Sequence, residues 1–317
     1  MTSTPGERTS MTAFRSPTEE RNPRTADIDR LGAAEMVSRI LDEEARVTSA
    51  VRDAADAIAR LVEIAADSIR AGGRVRYVGA GTSGRLGVLD AVELLPTYGV
   101  GTEWFTASIA GGDGAMFRSA EGAEDDPSLG ARDLDDIGEH DLLVALAASG
   151  RTPYVRGAID LAQERGATTA LITANPHAEM LALVDVRVVL DTGPEAITGS
   201  TRMKAATAQK ITLNAFSTAT MVTLGKTYSN LMVDVRPSNE KLRTRVARLL
   251  TQAADVDMVA AEKMLNAVDD DVKTALVLLL TPEHGPTDAA RIASARVSLD
   301  AHGGSVRGAL RQFADAP

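Results

Sequence analysis

The spacing of apolar residues changes character twice along the chain. From Asp29 to about Arg70 they recur at helical spacing (Leu31, Met36, Ile40, Leu41, then Val51, Ile58, Leu61, Val62 and Ile69), which predicts two or more amphipathic helices ended by Gly72-Gly73. Short apolar runs then alternate with helix-like segments. Strands are predicted at 74–78, 103–108, 141–147, 168–173 and 186–190, and helices at 84–94, 153–165 and 203–224, with a Gly-rich turn at Gly111-Gly112. Continuous apolar strands separated by helices define an α/β class, a doubly wound, mostly parallel five-stranded sheet with N-terminal helices. After Leu231 the strand signal disappears, and 241–254, 258–267, 272–280 and 289–302 read as short helices. The expected organisation is a disordered tail over 1–17, a sheet domain over 18–254 and a small all-helical domain over 255–317.

Composition narrows the partners. The 317 residues are 44% hydrophobic, enough for a large core. A net charge of −10 argues against a nucleic-acid surface, which needs concentrated Lys and Arg. The chain has no cysteine, so disulfides, thiolate metal sites and cysteine nucleophiles are excluded. The N-terminus lacks the apolar core of a signal peptide, and apolar runs such as 275–280 are too short to span a bilayer. A cytoplasmic protein with no membrane or nucleic-acid partner is expected.

The candidate chemistry begins at "VRYVGAGTSGRLGVLDAVELLP", residues 75–96, where Gly79, Gly81 and Gly84 form G-x-G-x-x-G after a strand. That pattern is the dinucleotide fingerprint, but the acidic residue expected at the end of the second strand is absent, with Ala107 and Ser108 in its place. No P-loop occurs either. The loop instead carries hydroxyls and a cation: Thr82, Ser83 and Arg85. Such hydroxyls also serve as plain helix caps. Yet the device recurs as Ser149, Arg151 and Thr152 after the third strand, and as Ser200, Thr201, Arg202 and Lys204 before the long helix. Helix N-termini supply N–H donors and partial positive charge, and in a parallel sheet the loops at the carboxyl edge converge on one crevice. A sugar-phosphate-type ligand fits this pattern best.

The motifs "TEERNP", "GAGTSGRLGVLDAVE", "AEGAEDD", "AASGRTPYV", "TGSTRMKAATAQK", "NLMVDV" followed by "NEKL", and "LDAHGG" resemble the N-acetylmuramic acid 6-phosphate etherase family, within the wider sugar isomerase (SIS) fold, over about residues 18–312. The resemblance implies a homodimer with sites near its interface and no metal or organic cofactor. It also implies cleavage of the ether between C3 of the sugar and D-lactate, giving N-acetylglucosamine 6-phosphate. Glu93, in "LDAVE", and Glu124, in "AEGAEDD", match the family's catalytic glutamates, which the resemblance assigns as proton donor to lactate and as base. Around Glu93 the family often has Ser or Cys, where this chain has Val92 and Leu94.

From spacing alone, Glu93 reads as a solvated helix-end residue, and Glu121, Glu124, Asp125 and Asp126 as an acidic loop. His140, His177, His284 and His302 show no ligand spacing, and His302 reads as a helix-end residue. A non-catalytic SIS-type sugar-phosphate sensor is the competing class, since it would keep the phosphate loops without needing both acids. A straight helix from Gly84 would put Glu93 about 13–15 Å from the phosphate loop. Either the helix bends or ends early, or Glu93 serves a neighbouring subunit; the implied homodimer favours the second.

Overall fold

The computed structural model describes residues 16–234, 240–281 and 287–314. Residues 1–15 of the expected tail, His284, and Val235 and Asn239 of the quoted motifs lie outside them. Three helices lead in: α1 (Ala33–Glu44), α2 (Val47–Asp53) and α3 (Ala55–Arg70). The sheet domain then runs β1 (Val75–Gly79), α4 (Gly81–Tyr98), β2 (Phe105–Ile109), α5 (Pro127–Arg132), β3 (Leu142–Leu146), α6 (Pro153–Glu164), β4 (Thr168–Thr173), β5 (Val186–Val189) and α7 (Lys204–Thr223). All five strands are parallel, as the apolar runs predict, and they lie in the order β2-β1-β3-β4-β5.

The two-residue side-chain period explains why both faces are covered. Val75, Tyr77, Leu142, Val144, Leu146, Ala170 and Ile172 point to one face, where they share a core with α2, α3, α4 and α7. Val78, Leu143, Ala145 and Leu171 point to the other and pack on Tyr154, Val155, Ala158 and Ile159 of α6. Tyr77, Phe105 and Phe216 meet at ring-centroid distances of 5.8–6.3 Å, fastening β1 and β2 to α7.

Beyond the sheet, a short hairpin of β6 (Thr227–Tyr228) and β7 (Leu231–Met232) precedes α8 (Glu240–Ala254), α9 (Met258–Ala267), α10 (Val272–Leu280), α11 (Ala289–Ala301) and α12 (Val306–Ala314). The hairpin went unread in the sequence because two residues per strand carry no period. A third core joins Val246, Ala247 and Leu250 of α8 to Ala261, Leu265, Leu276, Ala295 and Ala309. Hydrophobic packing therefore groups α8 with the helices after residue 255. His302 is the C-cap residue of α11, its Nδ1 2.8 Å from the Ser298 carbonyl, as the helix-end reading expects.

Candidate functional site

The strand order reverses direction between β1 and β3, so the crevice at the carboxyl edge opens between the loops that follow them. These are the loops that carry Ser83 and Ser149. Gly79, Gly81 and Gly84 have a packing reason there. Gly81 has φ +53°, and a Cβ at Gly84 would stand 2.6 Å from the Gly79 carbonyl oxygen and 2.7 Å from Ile109. The G-x-G-x-x-G pattern thus serves the tight strand-to-helix turn of this crevice.

Thr82 and Ser83, both half-buried, lie in the first turn of α4, whose N-cap is Ala80 and which has no side-chain cap. Thr152 is the N-cap residue of α6, and its hydroxyl makes no capping bond. Two helix N-termini with uncapped amides therefore flank the switch point. The Ser149 loop is held from behind: the Asn175 amide donates to the Ser149 carbonyl at 3.1 Å and the Thr173 hydroxyl to the Ala148 carbonyl at 3.1 Å. Arg151 is exposed beside it. Arg85 reaches the loop after β2, donating to the carbonyls of Met116 at 3.2 Å and Arg118 at 3.3 Å. That loop continues to Glu124, which is exposed in a single 3-10 turn, while Asp126 caps α5 by accepting from the Ser128 amide.

The third cluster is built differently. Ser200 is half-buried in the loop before α7, but Lys204 is fully buried and its Nζ lies 2.7 Å from Glu43 of α1. Glu43 also accepts from Arg24, through Nε and Nη2, and from Asn22 at 2.9 Å. The hydrogen bonds from Arg24 lead in holding the Glu43 carboxyl well below the usual range, against the effect of burial. The N-terminus of α7 is occupied by the chain's own carboxylate, since Glu195 accepts from the amides of Lys204 at 3.0 Å and Ala205 at 2.9 Å. Burial pushes the Glu195 carboxyl upward. So Lys204, expected among the phosphate ligands, is turned into an interior ion pair.

The same network explains "TEERNP". Asn22 donates to the Pro194 carbonyl at 3.1 Å, the Thr25 hydroxyl to the Ala196 carbonyl at 2.7 Å, and the Gly199 amide to the Thr18 carbonyl at 2.9 Å. Residues 18–25 form a strap across the Ser200 loop. Sequence reasoning missed Asn22, Arg24, Glu43 and Glu195, which sit outside any local motif of that loop.

Glu93 lies in the second half of α4 and is exposed, one turn beyond the buried Asp90. Asp90 accepts from the Tyr77 hydroxyl at 2.8 Å and the Ser217 hydroxyl at 3.1 Å, and its burial raises its pKa. The helix is continuous from Gly81 to Tyr98, so the early ending considered from the sequence does not occur. Glu93 stands twelve residues after Gly81, about 18 Å along the helix axis from the start of α4. A cavity of about 1000 Å³ lies elsewhere, between the β6–β7 hairpin and α8, and none of its lining residues comes from the sheet loops. Among the described residues no cluster of three His, Asp or Glu is placed to hold a metal ion, and no helix is long and apolar enough to cross a membrane.

This architecture and crevice are those of a SIS-domain protein: the SIS domain model matches residues 121–219, and the model of the glucokinase regulatory protein N-terminal SIS domain matches residues 56–163. The Vibrio vulnificus NanR protein complexed with ManNAc-6P is similar at 20% identity with a TM-score of 0.42, covering 60% of this chain and 66% of that one. The chain is also 47% identical over 294 residues to the N-acetylmuramic acid 6-phosphate etherases of Yersinia pestis (strain Pestoides F) and Yersinia pseudotuberculosis serotype O:3 (strain YPIII), covering 92% of this chain and 97% of each relative. It belongs to the N-acetylmuramic acid 6-phosphate etherase family.

Proposed function

We propose that the protein is a carbon–oxygen lyase that cleaves the D-lactyl ether of N-acetylmuramic acid 6-phosphate, giving N-acetylglucosamine 6-phosphate and D-lactate for cell-wall sugar recycling. The full-length match at 47% identity to etherases carries this reading, with Glu93 and Glu124 both present. The 6-phosphate sits between the uncapped N-termini of α4 and α6, against Thr82, Ser83, Ser149 and Thr152. There the amides and the helix dipoles favour a dianion without competition from an internal carboxylate. Arg151 supplies charge at the rim, Arg85 holds the Glu124 loop, and Ser200 closes the crevice from the side of β5. The active form is a cytoplasmic homodimer. An exposed apolar stripe on α4 supports the dimer, and a cysteine-free chain suits a reducing compartment.

The ether is a poor leaving group, so acidifying a neighbouring proton is the easier route. With the sugar open, the C1 aldehyde acidifies the C2 proton. Glu124 takes that proton, the C3–O bond breaks, and Glu93 protonates the lactate oxygen, leaving a C2=C3 double bond. Water then adds in the reverse sense: Glu93 takes its proton as hydroxide joins C3, and Glu124 returns a proton to C2. Two carboxyls in opposite protonation states suffice for both halves.

Lactate release from the sugar phosphate distinguishes this enzyme from a sugar-phosphate sensor, which would bind without turnover. Solvent deuterium exchange at C2 assigns the acids. Glu124→Gln should lose both exchange and lactate release, whereas Glu93→Gln should keep exchange and lose release. The opposite pattern would swap the roles.

A further inference from the structure

We infer that Phe117 reads the acetamido group on C2 of the sugar, as an aromatic contact carried by the same loop as Glu124. The inference rests on the etherase reading for the substrate, and on the geometry of that loop for the residue.

Five phenylalanines occur in the chain. Phe105 and Phe216 lie in the core on one face of the sheet, and Phe313 packs on the core of the C-terminal helices. Phe117, by contrast, is 93% exposed, the most of any large apolar residue among those described. Lone apolar side chains are ordinary on protein surfaces, so exposure alone decides nothing. What sets Phe117 apart is that its backbone is pinned on both sides. Arg85 donates through Nε to the Met116 carbonyl and through Nη2 to the Arg118 carbonyl, so one guanidinium holds the residues flanking the ring.

The loop behind it is closed on itself. Gly111 has φ +90°, and a Cβ there would lie 2.4 Å from that of Ala120, 3.5 Å from that of Ala115 and 3.6 Å from that of Ala123. The outgoing and returning arms therefore meet at one glycine, as in compact Ω-loops. Ala115 is buried two residues before Phe117, and Ala123 adjoins Glu124. Ring and carboxylate thus ride on one folded unit, which Arg85 ties to α4 two residues after Ser83. That placement restricts what the ring can meet. The phosphate is taken by amides and hydroxyls, which leave nothing for an aromatic to do there. Glu124 acts on the proton at C2, and the remaining substituent of C2 outside the carbon chain is the acetamido group. Its methyl is an apolar end on an otherwise polar sugar, and an aromatic face buries such a methyl well. Because the loop is already held, little freedom is lost when the contact forms.

Discrimination between two sugar phosphates tests the inference. Competition against lactate release gives inhibition constants for N-acetylglucosamine 6-phosphate and for glucose 6-phosphate, which carries a hydroxyl on C2. The wild type should prefer the acetamido sugar. Phe117→Ala should cut that preference about tenfold, the low end for one methyl in an apolar contact, and leave inhibition by glucose 6-phosphate within about twofold. Phe117→Leu, which keeps apolar bulk without the ring, should restore part of the preference, and it carries the test if the alanine variant does not fold. Equal weakening of both sugars would mean that the loop has moved, and it overturns the inference. An unchanged preference with a raised KM for the ether substrate would place the ring on the lactyl group instead, and it overturns the inference too. So does a shift of Phe117→Ala to a smaller species in sedimentation velocity, which would show that a second copy of the chain covers the ring. A wild type that releases no lactate overturns the etherase reading and the inference with it. A working wild type whose preference survives in both variants overturns the inference alone.

Discussion

Ser83 sits in the first turn of α4, which starts without a side-chain cap, beside the tight turn made by Gly81 and Gly84. Removing only the hydroxyl leaves the helix amides in place, so Ser83→Ala should fold normally and weaken sugar-phosphate binding by about 1–3 kcal/mol, the range for a lost charge-assisted hydrogen bond. Calorimetric titration with N-acetylglucosamine 6-phosphate reads this directly, and unchanged affinity would remove Ser83 from the phosphate site. Lys204 shows the limit of reading ligands from local sequence. Its neighbours Ser200, Thr201 and Arg202 suggest an anion site, but its charge is matched by Glu43, which lies 161 residues away and shares no motif with it. Glu43→Gln removes the carboxylate that pairs directly with that buried ammonium, and breaking a buried pair this way costs about 3–5 kcal/mol. The sign with pH follows from the depressed Glu43 carboxyl. Its contribution is whole above the unperturbed value of 4.5 and is lost as pH falls through the lower folded value. The gap in thermal midpoint between wild type and Glu43→Gln should narrow from about pH 6 to about pH 3; a constant gap would show that the ion pair is not its source.

Among the elements, α5 and α6 pack backbone against backbone, and their contact sets the position of the turn carrying Glu124. A Cβ at Gly157 would fall 1.9 Å from the Pro127 carbonyl oxygen, and one at Gly130 would fall 1.8 Å from that of Tyr154. Backbone cannot yield as a side-chain tip can, so Gly157→Ala should push α5 outward. The expected loss is about 1–3 kcal/mol in stability, as for overpacked cores. Lactate release should fall further than the loss of folded protein explains, because Glu124 lies three residues before α5. Parallel thermal melts and activity per folded molecule separate the two. The strands were legible in the sequence to within two residues, the central β1, β3 and β4 because they are buried on both faces and the edge strands β2 and β5 from shorter apolar runs. The ends of α4 were not. Gly81, Thr82 and Ser83 are weak helix formers and Pro96 looks like a stop, yet burial of Leu94 and Tyr98 extends the helix to residue 98. Packing overrode propensity at the C-terminal end.

On the scale of the whole molecule, the sequence exposed what repeats locally and hid what is joined at long range. Alternation of elements implies a parallel sheet whose carboxyl-edge loops converge, so Ser83 and Ser149 could be placed on one edge from the sequence, while the strand order that sets the crevice between β1 and β3 could not. The strap could not, since nothing near Asn22 announces Pro194. That separation also bears on the order in which the molecule is assembled during its synthesis. Asn22 is made 172 residues ahead of the carbonyl that receives its amide. At about 5–20 residues per second, roughly ten to thirty seconds pass between them. During that interval β1 to β4 can already pair, each with a neighbour not far behind it, while the segment around Asn22 has no seat. This strap, made early, is therefore among the last parts to be fixed, and a nascent chain halted before Glu195 should carry a formed sheet and an undocked, protease-sensitive segment over residues 18–25.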